Sequence, residues 1–216
     1  MLMATARPAF AALACSLLFA NTHSAVPDDP AKVHPLAVGV TAPAFVVRNA
    51  DGTDRKFDPK QLKKPVILIF YRGGWCPYCN AHLGALKKAE PELLRMGYEL
   101  YFLSADRPEI LFSSLKEPDI HYTLLSDARM SAARAFGLAY RLDDATMEKY
   151  KSYGIDLEAA SGETHHELPI PAVYIIDRKG TIRFAHANPD YKVRLAPEPL
   201  LEAARSLHGS HMSTPQ

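Results

Sequence analysis

One stretch of the sequence, VILIFYRGGWCPYC at residues 66–79, decides the fold. Its apolar run, 66–71, is too continuous to alternate between two faces, so it predicts a strand that is buried on both sides. Cys76 and Cys79 follow this run and stand directly before a helical pattern of leucines. Two thiols at this spacing can close a small disulfide ring, and a helix N-terminus favours a thiolate over a thiol. The stretch therefore predicts a strand, a redox dithiol and a helix, in that order.

The bulk composition is that of an ordinary soluble globular protein. Of 216 residues, 48% are hydrophobic and 23% are charged, which is enough apolar material for a sizeable core. A chain of this length predicts one domain with additions at its ends. The formal net charge of +1 argues against nucleic acid or other polyanions as partners.

The first 25 residues have the layout of a secretory signal peptide. Arg7 is their only charge, and an apolar stretch at 8–20 leads to small residues that end at Ala25. The stretch is too short for a comfortable membrane span, and the alternative is a core or amphipathic helix. Cys15 lies in a sequence that loosely resembles a bacterial lipoprotein cleavage site, in which case Cys15 would anchor the protein to a membrane. Either way we expect the mature protein in the periplasm or secreted.

Removal of Cys15 would leave only Cys76 and Cys79 in the mature chain. The sequence then offers no disulfide framework and no third thiol to resolve an intermediate, so any redox cycle must use this pair and an outside partner. Structural zinc binding is the alternative for the pair. A closed zinc site would need a second Cys or His pair at motif spacing, and none stands out. We expect neither a metal nor a cofactor.

Turn signals and hydrophobic patterns divide the chain into a signal peptide (1–25), a linker (26–36), a folded domain (37–208) and a flexible tail (209–216). Inside the domain, Asp-Gly at 51–52 predicts a hairpin, and the later strands alternate with helices in the manner of parallel crossovers. The stretch 141–167 is less regular, with one helix at 144–153, and is a candidate lid or partner surface. Predicted strands are 45–47, 56–57, 66–71, 98–104, 122–125, 172–176 and 181–186; predicted helices follow the dithiol, divided at Pro91, and cover 108–115, 130–136 and 197–207.

Two groups of motifs resemble known families. Trp75–Cys79 between strand and helix, and Leu168–Ala172 before a late strand, look like the thioredoxin fold, whose dithiol faces a loop with a cis proline; Pro171 is the best match for it. Around this core, a second group resembles the peroxiredoxin branch, the alkyl hydroperoxide reductase and thiol-specific antioxidant family. These motifs are PAF at 43–45, FY at 70–71, LSD at 125–127, AFG at 135–137 and IDRKG at 176–180.

The resemblance covers roughly residues 37–207. It implies an α/β thioredoxin-like fold, with a central mixed sheet flanked by helices, an N-terminal hairpin and an insertion before the cis-proline strand. Peroxiredoxins place a hydroxyl residue three positions before their peroxide-attacking cysteine, and here those positions hold Cys76 and Cys79. The family arginine before the late strand is replaced by Pro171, and the family proline after the strand's aromatic residue is replaced by Arg72. The chemical centre thus resembles thioredoxin, while the body resembles peroxiredoxin.

The two resemblances imply opposite roles for the cysteines. In the thioredoxin interpretation Cys76 is the nucleophile and its sulfur is the more exposed, while Cys79 resolves the mixed disulfide. In the peroxiredoxin interpretation Cys79 attacks the peroxide and Cys76 condenses with the sulfenic acid. Both end in the same disulfide. Pro77 suits a first helical turn, Trp75 is expected to pack beside the sulfurs, and Tyr78 completes the motif as a supporting residue.

Two arginines and three histidines are further candidates. Arg72 either stabilises a thiolate or an anion, or is a solvated charge at a strand end. Arg194 either replaces the missing active-site arginine or forms a structural ion pair. His165 and His166 suggest a metal, although adjacent strand residues point to opposite faces. His82 is expected to be a half-exposed helix residue and not a base.

The sequence therefore predicts an extracytoplasmic thiol-disulfide redox enzyme with antioxidant activity, which reduces peroxide at the expense of an external thiol or a thioredoxin-like donor protein. The alternative is a disulfide oxidoreductase that acts on protein disulfides without peroxidase activity. A non-catalytic redox-sensing or binding module is a third hypothesis, although such a module gains little from two reactive thiols. A membrane is expected as a partner only if Cys15 is lipidated.

Overall fold

The computed structural model describes residues 25–114 and 122–212, and its centre is a seven-stranded mixed sheet with the order β2-β1-β5-β4-β3-β8-β9. The strands are β1 (Phe45–Asn49), β2 (Asp54–Phe57), β3 (Val66–Tyr71), β4 (Glu99–Ser104), β5 (Thr123–Ser126), β6 (Ala139–Arg141), β7 (Glu167–Pro169), β8 (Ala172–Ile176) and β9 (Ile182–Ala187). The helices are α1 (Pro77–Leu86), α2 (Glu90–Arg95), α3 (Pro108–Ser114), α4 (Ser131–Ala135), α5 (Asp144–Ser152), α6 (Leu157–Ser161) and α7 (Pro197–Met212).

Strand β3 lies in the interior of the sheet, parallel to β4 and antiparallel to β8. All six of its residues are buried, as the continuous apolar run predicts. Its side chains alternate between two cores: Leu68 and Phe70 belong to the core beneath α4, and Ile69 and Tyr71 belong to the core that contains both cysteines. The segment after Tyr71 therefore begins at the C-terminal end of β3, between the two packed layers.

The predicted hairpin and crossovers are confirmed. β1 and β2 are antiparallel around the Asp-Gly turn, and β3, β4 and β5 are parallel neighbours. The helical segment after the dithiol divides where Pro91 predicts it, because Pro91 occupies the first turn of α2. The α/β thioredoxin-like class, with a mixed sheet flanked by helices, is thereby confirmed.

The segment 141–167 is an ordered excursion from the sheet. Its ends are tied together by β6 and β7, which pair antiparallel from Ala139 opposite Pro169 to Arg141 opposite Glu167. Helices α5 and α6 lie between them, and the sequence predicted only the first. Strands of three residues and a one-turn helix carry too little periodicity to be recognised from the sequence.

Pro171 is not a cis proline, contrary to the expectation, since none of the peptide bonds in residues 25–114 and 122–212 is cis. The backbone around Pro171 forms hydrogen bonds with neighbouring segments of the chain. Ile170 N donates to Leu138 O, and Pro171 O accepts from Asn188 N. β7 ends at Pro169 and β8 begins at Ala172. The chain thus runs extended from one strand into the next, and a trans bond satisfies that path.

The two ends of the domain differ from the expected boundaries. The segment 26–36 packs on the domain: Val26, Val33 and Leu36 contact the core, and Leu36 N donates to Phe136 O. α7 continues to Met212, into the segment expected to be a tail. Residues 1–24, with most of the predicted signal peptide, lie outside the described residues. Within the described part of the chain, no helix has both the length and the apolar character needed to cross a bilayer.

Candidate active site around the dithiol

The dithiol lies where β3 ends and α1 begins. Cys76 is the N-cap residue of α1, and its carbonyl accepts hydrogen bonds from the N–H groups of Cys79 and Asn80. Pro77 occupies the first helical position, as predicted. Both cysteines carry free thiols, and they are 1% and 0% exposed. Cys76 is thus only marginally the more exposed of the two, which is the order that the thioredoxin interpretation expects, and neither residue is open to solvent.

The two sulfurs differ in acidity. A hydrogen bond from the Cys79 thiol and the positive charges of the nearby Arg72 and Arg194 together lower the pKa of Cys76 to about 6, against the opposing effect of burial. The same hydrogen bond, together with burial, raises the pKa of Cys79. At neutral pH the pair therefore holds a thiolate on Cys76 and a thiol on Cys79.

Arg194 reaches both sulfurs from the loop between β9 and α7. Its Nη2 atom lies 3.3 Å from Cys79 Sγ and 4.0 Å from Cys76 Sγ. Its other two nitrogens, Nε and Nη1, are buried and have no hydrogen-bond partner in the part of the chain that the structure describes. Among the described residues it forms no ion pair, so the alternative of a structural salt bridge is wrong. The guanidinium group of Arg194 therefore lies against both sulfurs of the dithiol.

Arg72 follows β3 directly and is 2% exposed, so the alternative of a solvated charge is wrong as well. Its guanidinium lies 4.2 Å from the ring centre of Tyr191, 5.1 Å from that of Trp75 and 5.5 Å from that of Tyr150. Arg72 Nη2 donates to the Tyr150 hydroxyl. Aromatic faces stabilise a cation but do not cancel its charge, so Arg72 remains a source of positive potential for Cys76.

The segment 141–167, a candidate lid, contacts the site through Tyr150, which belongs to α5. Its ring lies 6.0 Å from that of Trp75, and its hydroxyl meets Arg72. The excursion 141–167 therefore covers the Arg72 side of the site. Trp75 packs against the core that contains both cysteines, as predicted. On the other side, Tyr78 is 43% exposed and makes an edge contact of 5.7 Å with Tyr191.

Asp106 shapes the loop that carries Arg72 and Trp75. Its Oδ2 atom accepts hydrogen bonds from Gly74 N at 2.6 Å and from Ser104 Oγ at 2.9 Å. Gly73 has φ +146, and a Cβ there would lie 2.2 Å from Trp75 Nε1. Only glycine fits this position. The Gly-Gly pair before Trp75 is the one sequence signal of this tight loop, and it does not identify the buried carboxylate.

His82 is buried at 6% exposure, so the expectation of a half-exposed residue is wrong. Its Nε2 atom lies 2.9 Å from the carbonyl oxygen of Leu195. Burial and the neighbouring Arg194 lower the pKa of His82 to about 4, so the ring is neutral and donates from Nε2. His82 thus ties α1 to the loop that carries Arg194.

His165 and His166 make local contacts away from the dithiol. His165 Nε2 lies 2.7 Å from Ala128 O, and its Nδ1 accepts from Glu167 N. His166 Nε2 lies 2.6 Å from a carboxylate oxygen of Glu158. Within residues 25–114 and 122–212, no three histidine, cysteine or acidic side chains converge as metal ligands would.

The sequence missed three residues of the site, Tyr150, Tyr191 and Asp106, and it named His82 without its burial. The three missed residues reach the segment around the dithiol through tertiary structure, by contacts with Arg72 or Gly74. Arg72 and Arg194, which the sequence nominated with alternatives, are brought together with the cysteines. Pro171 lies one residue before β8, at the end of the sheet that faces the dithiol, since Ala172 pairs with Phe70.

Comparison with known proteins places the chain in one family. Residues 38–185 match the AhpC/TSA family. The putative peroxiredoxin bcp of Haemophilus influenzae is 30% identical over 106 residues, which are 49% of this chain and 68% of that protein. The thiol-disulfide oxidoreductase ResA of Bacillus thuringiensis is 22% identical over 152 residues, 70% of each chain.

Solved structures agree on the fold. Peroxidoxin BcpB from Mycobacterium tuberculosis has a TM-score of 0.60 with this chain at 18% identity, and the match covers 80% of this chain and 98% of that one. A reduced 2-Cys peroxiredoxin from Plasmodium vivax has a TM-score of 0.60 at 20% identity, with 83% and 86% covered. The family match includes β3, the dithiol and β8. The chain therefore belongs to the AhpC/TSA family of thiol-dependent oxidoreductases.

Proposed function

We propose that this protein is an extracytoplasmic thiol-dependent peroxidase in which the Cys76 thiolate attacks the peroxide and Cys79 resolves the product. One observation carries the assignment of roles: the Cys79 thiol donates to Cys76, and two guanidiniums lower the pKa of Cys76 while burial raises that of Cys79. A thiolate is the nucleophile in sulfur chemistry. The order of attack is thus the reverse of the one that alignment with peroxiredoxins implies.

The first step breaks the peroxide O–O bond. The Cys76 thiolate bonds to one peroxide oxygen and becomes a sulfenic acid, and the other oxygen leaves as an alcohol or water after it takes a proton. The Cys79 thiol, which is hydrogen-bonded to Cys76, supplies this proton. Arg194, at 3.3 Å from Cys79 Sγ, stabilises the thiolate that this transfer creates.

The second step closes the disulfide. The Cys79 sulfur attacks the sulfenic sulfur, hydroxide or water leaves, and the Cys76–Cys79 disulfide remains. No third cysteine is needed, which suits a mature chain with two. An external thiol or a thioredoxin-like donor then returns two electrons to the disulfide.

A disulfide oxidoreductase without peroxidase activity is the second candidate. The Cys-Pro-Tyr-Cys motif and the similarity to ResA favour it. Burial of both sulfurs argues for a small substrate instead, because a protein disulfide reaches Cys76 only after the aromatic side chains around it move.

A stopped-flow experiment with Cys76→Ser and Cys79→Ser separates these functions. Trp75 is the only tryptophan and reports oxidation by its fluorescence. With hydrogen peroxide, Cys79→Ser should form a sulfenic acid that dimedone traps, since serine keeps a hydroxyl donor beside Cys76, and Cys76→Ser should not react. Reaction of Cys76→Ser alone would reverse the roles. Reaction of the wild type with disulfides but not with peroxide would favour the second candidate, and reaction with neither would leave a binding module.

The extracytoplasmic location rests on the composition of residues 1–25. Expression of the full chain in a Gram-negative host, followed by fractionation and N-terminal sequencing, tests it. A mature protein in the periplasm that begins near Val26 is the expected result. A membrane-bound product that begins at Cys15 would indicate lipidation, and a cytoplasmic product that keeps Met1 would contradict the proposal.

A further inference from the structure

The charges around the dithiol balance differently in its two redox states. In the reduced protein, the Cys76 thiolate faces the buried guanidinium group of Arg72 and the partly buried one of Arg194, whose Nη2 atom lies 4.0 Å from Cys76 Sγ. Neither arginine pairs with a described carboxylate. The buried carboxyl group of Asp106 accepts from Gly74 N and Ser104 Oγ instead. The thiolate is therefore the anion that this pair of cations shares.

Oxidation removes that anion. In the proposed cycle, one thiolate, one thiol and one hydroperoxide give a disulfide, an alcohol and hydroxide; two electrons pass from sulfur to the O–O bond, and the negative charge leaves the site as hydroxide. The guanidiniums cannot lose their protons in compensation, because arginine stays charged in proteins. One buried and one partly buried positive charge then remain with no counter-ion among the described residues, which is an unfavourable state.

Unused hydrogen-bond donors accompany this charge. Nε of Arg72, and Nε and Nη1 of Arg194, are buried and find no hydrogen-bond partner among residues 25–114 and 122–212. Buried donors of this kind are normally satisfied. Planar guanidinium groups with free N–H donors match the geometry of a carboxylate or another oxyanion.

A positive charge, that of Lys192, also lies at the mouth of the site. Exposed Lys192 lies 5.9 Å from the ring centre of Tyr191, and Tyr191 in turn covers Arg72. Tyr78, on the same side, is partly exposed. A small anion that approaches beside Tyr191 would therefore meet Lys192 before the two arginines, although the exposed Asp190, which accepts from Lys192 N, offsets part of this charge.

We propose that closure of the Cys76–Cys79 disulfide turns Arg72 and Arg194 into a binding site for a carboxylate, and that the reductant of this disulfide is a small thiol that carries one. The inference rests on the proposed dithiol cycle. The thiolate of the reductant attacks one sulfur of the disulfide to give a mixed disulfide, and a second reductant thiol releases the dithiol and a reductant disulfide. The carboxylate takes the place of the lost charge while this happens.

A series of thiols with different charges tests the inference. Oxidised protein is reduced with 3-mercaptopropionate, 2-mercaptoethanol and cysteamine, which are anionic, neutral and cationic, and Trp75 fluorescence gives the rates. Each rate is divided by that of the same thiol with hydroxyethyl disulfide, a neutral reference. We expect the anionic thiol to be favoured over the neutral one by roughly tenfold at low salt, with the cationic thiol slowest. Added salt should reduce the difference.

Substitutions assign the effect to the site. Arg194→Gln should abolish most of the preference, and Arg194→Lys should retain part of it. Arg178→Gln is the matched control, because Arg178 is exposed in the turn after β8, at the opposite end of β3 from the dithiol, and its loss changes the net charge equally. Equal normalised rates for the three thiols in the wild type would overturn the inference. A preference that survives Arg194→Gln, or that Arg178→Gln reduces equally, would also overturn it.

The starting disulfide is made in two ways. Hydrogen peroxide tests the proposed function, and diamide gives the same disulfide without a peroxidase step; loss of both thiols is verified by thiol titration. Failure of peroxide to form the disulfide would count against the peroxidase function alone. The charge series on diamide-oxidised protein still decides the inference.

Discussion

Replacement of Arg194 by glutamine should raise the pKa of Cys76 by about 1–2 units. Unit charges 4 Å apart interact by about 4 kcal/mol at an effective dielectric constant of 20. The Nη2 atom lies 4.0 Å from Cys76 Sγ, but the charge is shared by the whole guanidinium group, whose centre lies farther away. About 2 kcal/mol is therefore a reasonable expectation, and 1.36 kcal/mol corresponds to one pKa unit. Arg72 and the hydrogen bond from position 79 remain, so the pKa should stay below that of a free thiol.

The titration is best measured in a Cys79→Ser background, in which one sulfur titrates and a hydroxyl donor is kept. Ultraviolet absorbance of the thiolate against pH gives the midpoint, and the pH dependence of iodoacetamide alkylation provides an independent value. Arg194→Lys, which keeps the charge, should shift the midpoint less than Arg194→Gln. A midpoint that moves by no more than a few tenths of a unit in Arg194→Gln, or by as much in Arg178→Gln, would refute the electrostatic role of Arg194.

Three further predictions concern pH and stability. The rate of oxidation of the wild type by hydrogen peroxide should rise with pH and level off above about 6, where Cys76 is ionised; a rate that still climbs at alkaline pH in stopped flow would contradict this. The pKa of His82 is about 4 when folded and 6.5 for the free side chain, so the unfolded state binds more protons and the free energy of unfolding should fall by up to roughly 3 kcal/mol as pH drops from about 6.5 to about 4. His82→Gln should flatten this slope in urea unfolding, and an unchanged slope would assign it to other groups. Gly137→Ala places a Cβ 2.1 Å from His34 O at φ +67 and should lower the free energy of unfolding by at least about 2 kcal/mol in the same assay. Gly97→Ala, at φ +83 with no atom near the new Cβ, should lower it by only about 1–2 kcal/mol. Equal losses of unfolding free energy would contradict the role of the close contact.

Local features of this fold were predictable because local chemistry determines them. The continuous apolar run of β3 can only be a strand buried on both faces, and Asp-Gly at the first hairpin favours one type of turn. The dithiol could also be recognised from the sequence, since the spacing of its cysteines and the proline at the start of α1 are local features. The aromatic side chains that surround Arg72 could not be predicted from the sequence. Tyr150 lies 78 residues from Arg72 in sequence, and a tyrosine on a short helix resembles any other half-buried residue.

The expectation of a cis proline failed because it transferred one family's geometry to a chain with another family's body. Pro171 matches the thioredoxin cis proline in sequence, yet β6 and β7 hold the preceding segment in extended pairing that the motif alone does not encode. His82 was expected to be half exposed because a helix position alone does not reveal what covers it. The loop that covers His82 contains Leu195, which lies 113 residues later in the sequence and whose carbonyl oxygen contacts the His82 ring.

Departures from the peroxiredoxin pattern at three positions have a common explanation in the placement of charge. Peroxiredoxins hold an arginine where this chain has Pro171, and a proline where it has Arg72. In this protein one guanidinium comes from the end of β3 and the other from the loop after β9, so the position before β8 is free to hold proline while the thiolate keeps its cations. The third departure, Cys76 in place of a hydroxyl residue, then becomes a gain: Arg194 is nearer to Cys79 than to Cys76, and it can stabilise the second sulfur as charge moves to it. An arginine placed between two sulfurs suits a dithiol cycle better than it suits a single peroxide-reactive cysteine.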